Sequence, residues 1–347
     1  VEITYEEARG ADVTKEAVAI LNDTRRDGEF DQRRCGWLYL DNPAGPASIW
    51  LARSGGEVAG FAALIPRWID VDGTRLVAWI TADLSVRDAF RRRGIATALR
   101  GKAREGVDRG AASLLYGNPN CISEGVHRKV GFTCLGALCR HAKILSSASY
   151  VARLVPSAAL SRVIGSALDP LVRRLDGEHR SRNGLSVRRI SDQAFDRRFD
   201  DLFASTPRSR SVIGVRDAAY LAWRYGQNPL DEHLVWIAES GADLAGYLVA
   251  RRYGPALELL DLYPLAQPAV AEELLAALFA EGRARGLSSV SASLLEGHPF
   301  EATLAGLGFR LRDSHSHVFA YVSPTSPHKP VVERGASWAA MDGDRDV

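Results

Sequence analysis

Three consecutive arginines, Arg91, Arg92 and Arg93, run into Gly94, Ile95, Ala96 and Thr97 at a point where the residue periodicity changes. Guanidinium groups carry fixed charge that pairs with phosphate, and glycine and alanine let an anion's oxygens approach the backbone. Upstream, Trp79 to Val86 alternates Ile80, Ala82, Leu84 and Val86 with Trp79, Thr81, Asp83 and Ser85, the period of a strand. Downstream, Ile95, Ala98, Leu99, Ala103 and Val107 recur at helical spacing, and Gly110 stands where a C-terminal cap belongs. The first turn of such a helix has unpaired N–H groups and a positive dipole end, so the turn is predicted to cradle a pyrophosphate. Neither GxGxxG nor GxxxxGK[ST] occurs, which leaves the dinucleotide and P-loop readings without their motifs.

A second strand follows, Ser113-Leu114-Leu115-Tyr116-Gly117, then Asn118, a short helix, and Gly131-Phe132. Taken with the loop Arg91-Arg92-Arg93-Gly94-Ile95-Ala96, this succession resembles the acyl-CoA site of the GCN5-related N-acetyltransferase (GNAT) superfamily, whose loop reads Q or R, two residues, G, one residue, G or A. The resemblance implies acetyl-CoA or another acyl-CoA as co-substrate and a primary amine of a small molecule as acceptor. It implies that Thr81–Val86 and Ser113–Gly117 part, that pantetheine fills the gap, and that backbone at Leu84, Ser85 and Val86 holds the pantetheine amides and the thioester carbonyl. The amides of Arg92 to Thr97 receive the pyrophosphate, the arginines add charge, and Asn118 meets the pantetheine arm.

Acyl transfer to an amine needs a proton acceptor and a proton for the departing thiolate. Asp83, on the polar strand face, is the candidate acceptor. The family's usual tyrosine, four residues before the Gly-Phe pair, is replaced here by His127, an imidazole that could protonate the thiolate or relay the amine's proton. Among superfamily members the pattern looks most like bacterial nucleotide-sugar N-acyltransferases, with mycothiol-synthase-like chemistry, aminoglycoside acetylation and a non-catalytic acyl-CoA sensor as alternatives.

An internal repeat sets the architecture. Trp37, Tyr39, Asn42, Pro43 and Trp50 recur 186 positions later as Trp223, Tyr225, Asn228, Pro229 and Trp236, and Ile49–Phe61 aligns with Val235–Tyr247 at the same offset. Each aligned segment reads as strand, tight turn, strand. Val130-Gly131-Phe132 matches Leu307-Gly308-Phe309 at an offset of 177, so nine residues are lost between, where the anion loop should be. There the second copy has a strand at Leu257–Leu262, then Tyr263-Pro264-Leu265-Ala266-Gln267-Pro268, with no glycine and no arginine cluster. This copy is expected to act as scaffold and substrate wall. Because the Trp-x-Tyr-x-x-Asn-Pro element occurs in both copies, it reads as structural; Arg224, absent from the first copy's element, is a candidate for an anion contact.

The predicted fold is α/β, two tandem GNAT-like domains each with a mixed sheet flanked by helices: 1–147, a helical linker 148–184 containing an amphipathic stretch at 160–175, 185–323, and a loose tail 324–347 with Pro324, Pro327 and Pro330. The 347 residues suit two domains, and 46% apolar content supports real cores. With 44 basic and 42 acidic residues, the net charge of +2 gives no case for nucleic-acid binding. No membrane-spanning run or signal sequence is visible. Cys35, Cys121, Cys134 and Cys139 lack metal spacing and are expected as reduced, buried thiols of a cytoplasmic protein; His315 and His317 lack a third ligand, so no metal is expected. The expected state is monomer or homodimer.

Overall fold

Apolar strands joined by two-residue turns dominate the chain. The computed structural model describes residues 2–8, 12–25, 30–146, 184–191 and 194–346. Apart from Gly184, the expected linker at 148–184 lies outside the described residues. The strands are β1 (Thr4–Ala8), β2 (Ser48–Ser54), β3 (Glu57–Val71), β4 (Thr74–Val86), β5 (Leu114–Gly117), β6 (Thr133–Ile144), β7 (Ser186–Ile190), β8 (Val212–Gly214), β9 (His233–Ser240), β10 (Asp243–Tyr253), β11 (Ala256–Tyr263), β12 (Ser289–Leu295) and β13 (Arg310–Val322). The helices are α1 (Asp12–Thr24), α2 (Gln32–Tyr39), α3 (Ile95–Asp108), α4 (Cys121–Lys129), α5 (Arg197–Ser205), α6 (Ala218–Leu221), α7 (Pro268–Ala284), α8 (Glu301–Gly306) and α9 (Lys329–Val332).

Turn chemistry fixes the hairpin registers. Gly55 and Gly56 join β2 to β3, and Asp72 and Gly73 join β3 to β4; all four have positive φ, as a two-residue type I′ loop demands. Helix α3 ends as its sequence predicts: Gly110 has φ 80°, its N–H bonds to Val107 C=O, and Ala111 N–H bonds back to Gly106 C=O.

The strands form one 13-stranded mixed sheet in the order β1-β2-β3-β4-β5-β13-β6-β12-β11-β10-β9-β7, with β8 on β3. The tandem α/β architecture is as expected, but the two copies do not keep separate sheets. The last strand of each is exchanged: β13 pairs with β5, β6 pairs with β12, and β6 and β13 pair with each other. The exchange satisfies the strand edges that two separate sheets would leave open. The repeated tryptophans also join the two copies. Trp37 and Trp223 stack at 5.2 Å, and each indole N–H donates to the other's backbone carbonyl, at 2.8 and 3.0 Å. Asn42 takes the loop-closing role, donating to Pro66 C=O and accepting from Ala44 N–H.

The tail expected to be loose is packed. Trp338, Ala339, Ala340 and Met341 are buried, and Ala339 N–H bonds to Val212 C=O. Asp344 is the anchor: its carboxylate bridges Arg67 of the first copy (2.6 Å) and Arg216 of the second (3.0 Å), both fully buried. Those two guanidiniums hold the carboxyl below its ordinary value although burial pushes it upward. An apolar run and a partnered carboxylate therefore outweigh the prolines and charges around them.

Candidate active site

Strands β4 and β5 pair in parallel only at Ala78–Leu114, Trp79–Leu115 and Ile80–Tyr116, and then part. Beyond that point β4 bulges: Ala63 faces Ala82 but Phe61 faces Ser85, and Asp83 sits at φ 47°. The bulge turns Leu84, Ser85 and Val86 toward a cavity of about 900 Å³. Every predicted site residue except Arg93 lines it: Asp83, Leu84, Ser85, Val86, Arg91, Arg92, Gly94, Ile95, Ala96, Thr97, Asn118 and His127. The Arg93 guanidinium lies instead over the Phe90 ring, at 5.5 Å.

At one end of this cavity, Gly94 caps α3 with φ 80°, and a side chain there would have free space but a strained backbone. The first intrahelical bond is Ala98 N–H to Gly94 C=O at 2.9 Å, so the N–H groups of Ile95, Ala96 and Thr97 have no intrahelical acceptor. Arg91 and Arg92 are exposed beside them, and Arg91 Nε donates to Val86 C=O at 3.3 Å. These donors fit a pyrophosphate.

Asp83, the candidate proton acceptor, is held by partners that the sequence did not reveal. Helix α2 brings Arg34 and Tyr39 onto it: Arg34 Nη1 at 3.1 Å, Arg34 Nη2 at 3.3 Å and the Tyr39 hydroxyl at 2.5 Å, while Arg25 Nη1 approaches to 3.1 Å. Burial and the neighbouring carboxylate push the Tyr39 phenol well up, so it remains the donor. The second copy repeats the arrangement: Asp261 accepts from Arg216 Nε (2.9 Å) and from the hydroxyls of Tyr247 (3.1 Å) and Tyr225 (3.4 Å), and Tyr225 is the repeat partner of Tyr39. An Asp–Tyr–Arg cluster present in both copies is a brace for the bulged strand.

His127 is buried, its ring edge-on to Phe132. Its Nδ1 lies 3.0 Å from Ser123 C=O, which makes Nδ1–H the donor and leaves Nε2 to accept, 3.4 Å from the Thr81 hydroxyl. Desolvation, with the charge of Arg100, lowers its pKa to about 4, so the ring is neutral near pH 7 rather than titrating there. Gly117 is required beneath it, because a Cβ at Gly117 would meet Thr81 Oγ1 at 2.0 Å. Asn118 is held at both ends of its amide by β13, donating to His317 C=O (2.9 Å) and accepting from Ser316 Oγ (3.0 Å). The second copy thus holds Asn118, a residue of the cavity lining, from behind.

Sequence reasoning missed Arg25, Arg100, Arg345 and Asp346, all of which line the cavity. Arg345 and Asp346 arrive through the Asp344 anchor, and Arg224, singled out as an anion contact, instead donates to Arg345 C=O at 3.0 Å. Burial raises the Asp346 carboxyl, with Asp83 adding to the effect and Arg345 opposing it. The signal for this segment was Trp338-Ala339-Ala340-Met341, an apolar run inside a polar tail.

The matching gap in the second copy is filled. Strands β11 and β12 pair from Ala256–Ser289 to Leu259–Ala292 and then part, and the C-terminal segment runs in: Leu295 N–H bonds to Ala340 C=O at 3.0 Å and Met341 bridges Leu294. Gly343 lies so close to β11 that a Cβ there would stand 2.8 Å from Leu260 C=O.

Among the described residues no cluster of His, Cys, Asp or Glu could hold a metal, and no helix is long and apolar enough to cross a membrane. His317 faces Glu124 at 3.3 Å; Cys35 and Cys139 are buried, but Cys121, expected to be buried, is exposed.

Residues 15–132, from α1 to just before β6, match the acetyltransferase (GNAT) family. No curated protein matches the chain. Among solved structures, the chain is similar to a probable N-acyltransferase of Enterococcus faecalis V583 (TM-score 0.67, 13% identity, 93% of this chain and 72% of that one). It is also similar to a GCN5-related N-acetyltransferase from Anabaena variabilis (0.67, 15%, 92% and 73%). A tandem GNAT protein from the clavulanic acid biosynthesis pathway aligns over its whole length (0.54, 17%, 94% and 100%). At these identities the likeness is one of fold. The family match spans residues 15–132 and supports an enzyme.

Proposed function

We propose that the chain moves an acyl group from acyl-CoA to a primary amine of a small molecule, in the cavity of the first copy. The observation that carries this reading is one continuous space linking the free amides of α3 to the parted strands β4 and β5. Acyl-CoA supplies the activated carbonyl: the amine nitrogen forms the C–N bond, the C–S bond breaks, the amine's proton is removed, and CoA leaves as a thiolate that takes up a proton from solvent. The amides of Ile95 to Thr97, with Arg91 and Arg92, hold the pyrophosphate, and backbone from Leu84 to Val86 aligns the pantetheine and the thioester carbonyl.

Asp346 takes the amine's proton. It lies within electrostatic reach of the bulge at Asp83, and burial raises its pKa, which makes its carboxylate a stronger proton acceptor once ionised. Asp83 positions the bulge through Tyr39 and Arg34. His127, neutral and accepting at Nε2, orients the Thr81 hydroxyl; it carries no imidazolium to donate to the thiolate at neutral pH.

For the acceptor, charge is the guide. Among the described residues, six cationic side chains, Arg25, Arg91, Arg92, Arg100, Lys129 and Arg345, line the cavity against two carboxylates, Asp83 and Asp346. That balance favours an acceptor bearing anionic groups, such as an amino sugar on a nucleotide carrier, over a polycationic aminoglycoside. The test is mass spectrometry of products from acetyl-CoA and longer acyl-CoAs offered with amino-sugar nucleotides and neutral and cationic amines. Transfer confined to anionic acceptors is the expected result. CoA binding without transfer to any amine would replace catalysis with a sensor role.

A further inference from the structure

Arg100 has no task in acyl transfer as far as pyrophosphate, pantetheine and the amine's proton are concerned. It lies on α3 one turn after Ala96 and Thr97, so it shares their cavity-facing strip about 5 Å further from the anion-binding end. Its side chain is 3% exposed, and its Nε and Nη1 are buried with no hydrogen-bond partner among the described residues. The charges around it do not pair it. Asp83 is already matched by Arg25 and Arg34, His127 is neutral, and Asp346 influences Arg100 through space without forming an ion pair with it. Desolvation lowers the pKa of Arg100 to about 10, so it is still cationic at neutral pH. A buried guanidinium with orphaned donors, in the lining of a cavity, is a costly arrangement that a bound anion relieves.

We propose that Arg100 receives a carboxylate brought by one of the two substrates: the free end of a dicarboxylic acyl group on CoA, or an acid group on the amine. The phosphates of CoA are met one turn earlier, at Ile95 to Thr97. The inner end, beside the bulge, is where acyl group and amine converge, and carboxylate is the anion that small acyl groups and small amines carry. A carboxylate there would accept charge-assisted bonds from the orphaned donors. This inference rests on reading the cavity as an acyl-CoA site.

Titration calorimetry on the full chain decides it in two arms. In the first, succinyl-CoA is compared with butyryl-CoA, which lacks the terminal charge. In the second, CoA-saturated protein is titrated with amino acids and with their decarboxylated amines. A preference for the carboxylate of about tenfold or more in one arm, reduced to twofold or less by Arg100→Met and partly kept by Arg100→Lys, is expected and identifies the substrate that carries the acid. No preference in either arm of the wild-type protein, or one that survives Arg100→Met, overturns the proposal. Free CoA is the control: if it binds wild type and variants alike, the acyl-CoA reading stands whatever Arg100 does. If it does not bind the wild-type protein, that reading is what has failed.

Discussion

The two copies share a strand order and a bulge-bracing Asp–Tyr–Arg cluster, yet the gap between parallel strands is open in one and filled in the other. Between β4 and β5 it widens into the cavity that runs to the free amides of α3. Between β11 and β12 it holds Ala340 to Gly343 of the same chain. A gap between parting strands suits any extended segment with hydrogen-bonding groups, whether ligand or polypeptide. What separates the two gaps is their mouth. The first opens on Gly94 and a helix with free N–H groups; the second opens on a loop without glycine and a helix whose first residue, Pro268, has no N–H to offer. Loss of the anion loop and occupation by the tail are two halves of one specialisation, and the tail that fills the second gap also delivers Arg345 and Asp346 to the first.

Breaking that delivery has the largest expected effect. Asp344→Asn leaves the buried Arg67 without its ion-pair partner and weakens the bridge to Arg216, and should cost about 3–5 kcal/mol of unfolding free energy in denaturant titration. An unchanged midpoint would mean that the tail is not part of the folded core. Next, Asp346→Asn should keep the fold and CoA affinity but lower kcat by on the order of 100- to 1000-fold. In the wild-type protein kcat should rise with pH as the carboxyl, raised by burial, gives up its proton, and this acid limb should vanish in the variant. A retained limb would assign the acceptor role elsewhere. The comparison between the mouths is sharpened by a paired substitution: Gly94→Val, which strains the cap at φ 80°, should weaken CoA binding on the order of 100-fold, whereas Gln267→Ala in the second copy's loop should leave it unchanged. Equal losses would mean that CoA touches both copies.

Much of the fold was legible because local chemistry decided it. The alternation before Val86, the helical spacing after Ile95, Gly94 and Gly110 each specify a backbone state, and the repeat of Trp37 and Tyr39 at Trp223 and Tyr225 announces two copies. The exchange of β6 and β13 was not legible, since either pairing buries the same alternating faces and only the whole sheet selects between them. The partners of Asp83 were not legible for a related reason. Its partners Arg34 and Tyr39 lie more than 40 residues away on α2, although Asp261, on the matching strand of the copy that lacks the loop, hinted that this carboxylate does not serve catalysis alone. Asp346 was hidden by composition, because a segment rich in charge and proline conceals one short apolar run that docks it.

A single buried histidine has the smallest expected effect, and the three together test whether the copies behave as one body. Burial lowers the pKa of His127 in the first copy and His233 in the second to about 4, and that of His298, also in the second, to about 3, from an ordinary 6.5. Each donates or accepts through Nδ1 as a neutral ring, His233 to Tyr225 C=O at 2.9 Å and His298 from Phe300 N–H at 3.1 Å. The unfolded chain therefore binds more protons than the folded one below pH 6.5, so the stability these groups contribute is complete above that value and drains as pH falls toward 4. By pH 5 the loss is about 2 kcal/mol for each histidine. Two of the three lie in the second copy, so acid should weaken that half first if the halves were independent. The continuous sheet with its exchanged strands predicts otherwise: one cooperative unfolding transition at pH 7 and at pH 5, moving to lower denaturant, and a shallower pH dependence in His298→Gln. Two resolved transitions at pH 5, the second copy's first, would show that the shared sheet does not couple the copies.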